Sequence, residues 1–223
     1  MNIFAFVGAS NSGKTLLIKK LISEFKSRGY SVGVIKHCPH GFDIAPQGKD
    51  SSIFVKENAN PVVLVGPQEI VVSRKESSLP SLKMIASEYF EHIDIVLVEG
   101  GQHEKSLKKI EVLRQSLSEE LKTNFNELIA VISDFKLEMP KPIFNHHQIS
   151  QIADFLEKNL ATKSSGISLK IDGSPVRLNK FVQRIFKKII LGMISSLDRI
   201  KDNPENIVIT LFSDKKKEEK KQR

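Results

Sequence analysis

Residues Gly8-Ala9-Ser10-Asn11-Ser12-Gly13-Lys14-Thr15 match the pattern G-x-x-x-x-G-K-[ST] at each fixed position, which is the signature of a phosphate-binding loop. The chemistry follows from the residue types. Gly8 and Gly13 let the main chain curl, so that successive N–H groups across Ser10, Asn11 and Ser12 face a polyphosphate, and the N-terminus of the following helix adds a favourable dipole. Lys14 then reaches the β- and γ-phosphates. Thr15 offers a hydroxyl to Mg²⁺, a cation that takes oxygen ligands and completes its shell with substrate phosphates and water.

Two acids stand where such a site needs them. Ile93-Asp94-Ile95-Val96-Leu97-Val98-Glu99 is an apolar run ending in a carboxylate. Ligands of parallel sheets collect at the carboxyl ends of strands, so Glu99 is expected beside the loop, holding a metal-bound water or orienting an attacking one. Leu128–Ser133 is a second such run, followed by Asp134. A carboxylate accepts from guanine N1 and N2 together, a donor pair adenine lacks, so Asp134 is the candidate for base selection; a loop cap is the other reading of it. His37, Cys38 and His40 are too few and too closely spaced for a four-ligand zinc site, and His37 is expected near the phosphates instead.

The surrounding elements have the form such a loop requires. Ile3–Val7 is a buried-strand run, and Leu16, Leu17, Leu21, Ile22 and Phe25 recur at helical spacing after the loop,. Ser31–His37 reads as a second strand, and a strand-helix-strand order implies a right-handed parallel crossover. After an irregular polar loop over Cys38–Ser51 come a helix near Ser51–Asn58 and strand-like runs at Pro61–Val65 and Glu69–Ser73. A helical pattern spans Leu79–Phe90, and beyond Asp134 lie a short strand ending at Phe144 and a closing helix over Ile149–Leu160,. This alternation predicts a doubly wound, mostly parallel α/β domain of P-loop NTPase architecture over residues 1–160.

Residues 161–166 read as a polar linker, and 167–213 as a small α+β domain. Its expected parts are a hairpin around Asp172-Gly173-Ser174-Pro175, a helix capped by Asn179, and a strand over Asn206–Phe212,. The apolar residues of the helix, among them Phe181, Ile185, Ile189 and Met193, are expected to form the core of this unit. Lys180, Arg184, Lys187 and Lys188 on the polar side leave a membrane or partner reading as the alternative.

Charge location matters more than the net value of +8. Residues 1–162 carry 19 basic and 19 acidic side chains; residues 163–223 carry 15 and 7, and therefore the whole excess. Part of it sits in a charged tail, residues 214–223, expected to be disordered. A nucleic-acid module is disfavoured by the neutral main domain and by a composition of two tyrosines and no tryptophan,. No apolar run approaches the roughly 18 residues of a membrane span. The single cysteine and an N-terminus that leads straight into the first strand suit the cytoplasm,.

In one order the chain carries the P-loop, Ile35-Lys36-His37 with Phe42-Asp43, Gly48-Lys49-Asp50-Ser51, Val96-Leu97-Val98-Glu99-Gly100, and Lys109-Ile110-Glu111-Val112 with Arg114. Over about residues 1–160 this resembles the molybdopterin-guanine dinucleotide biosynthesis protein B family, commonly called MobB. The resemblance implies a GTP-binding, Mg²⁺-dependent accessory protein with weak intrinsic hydrolysis. Its implied partners are the guanylyltransferase that attaches GMP to molybdopterin, molybdopterin itself, and a second copy of the chain. It also implies that Asp50 approaches the metal or γ-phosphate and acts with Glu99, and that Lys109, Glu111 and Arg114 pack near the nucleotide or the dimer partner. The chain departs from the family pattern at Ile44-Ala45, at Ile53 and at Gly101-Gln102, where family members usually place an acid, an arginine and a cation. A P-loop small-molecule kinase or a nucleotide-dependent metal-insertion GTPase is the alternative activity. The first would want an arginine-rich lid, and the second a denser His/Cys entry site.

Overall fold

Alternate residues of the first strand, β1 (Ile3–Val7), are buried on opposite faces of a sheet and so define its layers. The computed structural model describes residues 2–42, 50–160, 167, 169–171, 174–176, 178–197 and 207–211. Contacts divide the chain into two units, Met1–Lys163 and Ser164–Arg223.

In the first unit, β1 is followed by α1 (Lys14–Ser27), β2 (Val32–Lys36), α2 (Asp50–Lys56), β3 (Val62–Val65), β4 (Ile70–Ser73), α3 (Leu82–Tyr89), β5 (Ile95–Glu99), β6 (Lys108–Val112), β7 (Leu128–Ile132), β8 (Ile143–Phe144) and α4 (Ile149–Lys158). Six strands form one sheet in the order β2-β5-β1-β6-β7-β8, and every pairing in it is parallel. Phe4 and Phe6 pack with Leu17, Leu21 and Phe25 of α1 and Ile152 and Leu156 of α4. Ile3, Ala5 and Val7 pack on the other face with Leu82 and Ala86 of α3. Helices thus cover both faces, as a parallel sheet requires. Arg28 fastens α1 to α4, donating to Glu24 at the end of its own helix and to Asp154 at 2.6 Å. The doubly wound α/β architecture expected from the sequence is the one observed.

The two strand-like runs after α2 stand apart from that sheet. β3 and β4 pair antiparallel with each other alone. The connection between them is a tight turn in which Gly66 N–H donates to the Glu69 carbonyl at 2.8 Å, far too short for the crossover that parallel pairing needs. In contrast β6, whose sequence Lys-Lys-Ile-Glu-Val does not read as a buried strand, lies in the middle of the sheet beside β1.

Among its described residues the second unit has a hairpin of β9 (Leu169–Ile171) and β10 (Ser174–Val176) and a helix, α5 (Lys180–Ser195). Asn179 caps α5, its side-chain oxygen accepting from Val182 N–H at 2.9 Å. Two expectations are corrected here. Residues 207–211 form no strand; Asn206 and Phe212 lie outside the described residues. The apolar side of α5 is not a core, because Phe181, Ile189 and Met193 are all more than half exposed. Among the described residues no strand follows the helix. The linker at 161–166 and the charged tail at 214–223 also lie outside the described residues.

Candidate functional site

The loop between β1 and α1 is held open by glycine at both ends. Gly8 has φ +136°, and a Cβ there would sit 2.3 Å from the Val112 carbonyl oxygen of β6, so any side chain would force the strands apart. Gly13 has φ +93° and forms the cap of α1. Within the loop Ser12 N–H donates to the Ala9 carbonyl, and Asn11 takes a left-handed conformation, φ 63°, which asparagine tolerates better than most residues. Ser10 and Asn11 face solvent while Ser12 is fully buried.

Lys14 folds back over the loop, its Nζ donating to the Gly8 carbonyl at 3.0 Å and the Ala9 carbonyl at 2.6 Å. Burial lowers its pKa below the ordinary lysine value, an effect opposed in part by the nearby Glu99 carboxylate. Thr15 Oγ1 donates to Glu99 Oε1 at 2.8 Å. This contact joins the first turn of α1 to the carboxyl end of β5, and it is possible because β5 neighbours β1 with Glu99 in register with Phe6. Lys36, at the end of β2, lies 4.0 Å from the same carboxylate oxygen.

The residues present suit a Mg²⁺–polyphosphate. The Ser12 hydroxyl is buried in the loop with no hydrogen-bond partner among the described residues, although buried polar groups are normally paired. Thr15 and Glu99 supply a close pair of oxygens, the donor type a hard cation takes,.

Of the other residues singled out from sequence, His37 continues β2 by donating its N–H to the Glu99 carbonyl, and its ring lies against Gly100 rather than in hydrogen-bond contact with the loop. Asp50 is the first residue of α2; its side chain and residues 43–49 lie outside the described residues. Asp134 is exposed at the end of β7, where its Oδ1 accepts from Gln115 N–H at 2.9 Å. It therefore caps a loop and at the same time lines a cavity of about 110 Å³ with Gly13, Lys20, Arg114 and His146.

The charged stretch of β6 divides into struts and a contact. Lys109, 2% exposed, donates to the Gln102 carbonyl and to Glu127 Oε2, both at 2.6 Å. Glu111, 1% exposed, accepts from the N–H groups of Lys122 and Thr123. Lys109 ties β6 to the segments on either side of it and Glu111 to the segment after it, and among the described residues neither hydrogen-bonds to the loop. Arg114 does, donating from Nε to the Ser12 carbonyl at 3.2 Å. Ser12 as a buried hydroxyl, and His146 beyond β8, were not separable by sequence. The only signal for His146 is its position just past a strand's carboxyl end.

Fold and site together define a P-loop NTPase-like α/β protein. The family model described as "Molybdopterin guanine dinucleotide synthesis protein B" matches residues 3–134, and the chain belongs to that family, MobB. Among its relatives, the molybdopterin-guanine dinucleotide biosynthesis adapter protein of Haemophilus influenzae is 32% identical over 156 residues, covering 70% of this chain and 87% of the relative. The Escherichia coli K12 adapter protein of the same name is 32% identical over 160 residues, covering 69% and 90%. A solved molybdopterin-guanine biosynthesis protein B superposes with TM-score 0.56 at 25% identity over 71% of this chain and 99% of its own. Bacillus subtilis MobB gives TM-score 0.59 at 24% identity over 73% and 100%, and supports the fold. The span matched by the family model lies wholly within the first unit.

Proposed function

We propose that the chain is a GTP-binding adapter of molybdenum-cofactor biosynthesis, assisting conversion of molybdopterin to its guanine dinucleotide form and hydrolysing GTP weakly with Mg²⁺. Its family membership and the adapter role named for its relatives support this reading. The single structural observation that carries it is the Thr15–Glu99 contact at 2.8 Å beside a loop whose Ser12 hydroxyl is buried with no partner among the described residues.

In this reading the loop N–H groups and Lys14 bind the β- and γ-phosphates. Thr15 and Glu99 hold Mg²⁺, which when bound supplies positive charge to the phosphoryl oxygens. Glu99 also orients water. Asp134 selects guanine with the carboxylate oxygen that Gln115 leaves free. His37 borders the phosphate side, and Asp50 approaches the metal from the start of α2. The protein works in the cytoplasm with the guanylyltransferase and molybdopterin as partners. The β3–β4 hairpin, with Val65 76% and Ile70 68% exposed, offers a second copy of the chain an apolar surface for a homodimer.

Calorimetric titration with GTP, ATP and their diphosphates in Mg²⁺ tests the reading, using wild type, Lys14→Ala and Asp134→Ala. The expected result is preferential GTP binding that Lys14→Ala abolishes, with base discrimination lost in Asp134→Ala. Tight ATP binding without preference for GTP overturns the adapter assignment, and retained discrimination in Asp134→Ala removes that residue from base selection.

A further inference from the structure

Arg114 touches the phosphate loop through its side chain, and it borders the cavity beside Gly13. Its Nε donates to the Ser12 carbonyl at 3.2 Å. In a trans peptide the C=O and N–H point in opposite directions. A Ser12 carbonyl fixed toward Arg114 therefore turns the Gly13 N–H away from Arg114, and on the nucleotide-binding reading that N–H faces the phosphates. The lack of a side chain at Gly13 makes room for this arrangement: a Cβ there would lie 3.2 Å from Arg114 Nη2 and 3.8 Å from His146 Nδ1. Among the described residues the guanidinium bonds to a main-chain carbonyl and pairs with no carboxylate.

The residues either side of Arg114 are tied to the cavity wall. The Leu113 carbonyl meets His146 Nε2 at 3.1 Å, and Gln115 N–H donates to Asp134 Oδ1 at 2.9 Å. The Arg114 carbonyl accepts from Leu117 and Ser118 N–H groups, which closes residues 114–118 into a tight turn. One short segment thus contacts both the loop and the cavity wall. The cavity's lining of Lys20, Asp134 and His146 around a small apolar floor from Leu17 suits a polar heterocycle,.

We infer that Arg114 is a positioning residue that couples the cavity beside Gly13 to the phosphate loop, so that a purine nucleoside seated against Asp134 and His146 sets the loop geometry and the site favours nucleotides over bare polyphosphate. This inference rests on the nucleotide-binding reading above. Arg114 contacts the ligand's surroundings rather than reacting atoms; its effect passes through the Ser12–Gly13 peptide.

The test compares Mg²⁺–GTP with Mg²⁺–tripolyphosphate by calorimetry on the full chain, for wild type, Arg114→Gln, Arg114→Lys and His146→Leu. Thermal melting confirms that each variant is folded. In wild type GTP binds more tightly than tripolyphosphate. Arg114→Gln is expected to weaken GTP about tenfold or more, the scale of a lost charged hydrogen bond, and to bring the two affinities together. Arg114→Lys restores the positive charge but not the planar donor, so the preference stays narrowed. His146→Leu approaches the same coupling from the cavity wall and narrows the preference. Equal losses on both ligands, full recovery in Arg114→Lys, or an unchanged preference in both Arg114→Gln and His146→Leu overturns the inference while leaving nucleotide binding intact. Failure of wild type to bind GTP overturns the underlying reading instead.

Discussion

Thr15 donates its hydroxyl proton to Glu99 Oε1 at 2.8 Å, although the two residues are 84 positions apart in the chain. The contact exists because β5 lies directly beside β1 in the parallel sheet and both strands end at the same level. A helix N-terminus and a strand C-terminus therefore present two oxygens at one point, close to the ammonium of Lys14.

Glu99→Gln keeps the size of the side chain and removes its charge. The expected outcome is GTP affinity that no longer strengthens on adding Mg²⁺, with affinity in chelator within a few-fold of wild type. Titrations with and without Mg²⁺ check this. An undiminished Mg²⁺ effect would show that Glu99 does not serve the cation.

The lowered pKa of Lys14 gives the site an alkaline limit. Burial disfavours the charged ammonium, and Glu99 restores only part of the loss, so the group gives up its proton below the ordinary value of 10.5. The sign is fixed: phosphate needs the charged form, so affinity holds at lower pH and falls as pH rises through the depressed pKa, by up to about tenfold per pH unit. Guanine N1 also titrates in alkali, so the comparison is between wild type and Lys14→Arg, whose guanidinium stays charged. Wild type is expected to lose GTP affinity at a lower pH than Lys14→Arg. Coincident pH profiles would contradict it.

The Lys109–Glu127 pair predicts an asymmetry in stability. Lys109 is almost wholly buried, whereas the Glu127 side chain is 20% exposed. Glu127→Ala leaves a buried ammonium with only the Gln102 carbonyl and should destabilise the fold by about 3–5 kcal/mol. Lys109→Met fills the same space, leaves behind a carboxylate that reaches water, and should cost clearly less. Denaturant unfolding of the two variants gives the order, and a larger loss in Lys109→Met would reverse it.

The sequence disclosed the site more readily than its supports. β1, β5 and β7 are continuous apolar runs because both faces of a parallel sheet are buried, so the loop after β1 and the acids after β5 and β7 stand out. β6 is buried just as deeply, but Lys109 and Glu111 hide it. Their charges are tolerable only because Glu127, the Gln102 carbonyl and the N–H groups of Lys122 and Thr123 meet them, and those partners lie 7 to 18 residues away in sequence. The α5 helix illustrates the opposite error. Its apolar periodicity is real, but periodicity identifies a face without saying what covers it, and residues 207–211 do not supply the expected strand. Of the two readings of Asp134, the cap on Gln115 is present, and the residue also borders the cavity.

The bonds from Lys14 to the Gly8 and Ala9 carbonyls give this lysine a second task besides carrying charge. It works as a tie-rod across the mouth of its own loop, so the curl of the main chain is set when the domain folds and an arriving phosphate meets a surface already shaped for it. An ammonium has three protons to give, and two are engaged within the loop. The third is free to reach outward while the other two keep the frame closed. Removing the side chain therefore slackens the receptor and discharges it at once, which makes the charge-retaining arginine the cleaner instrument for separating shape from electrostatics.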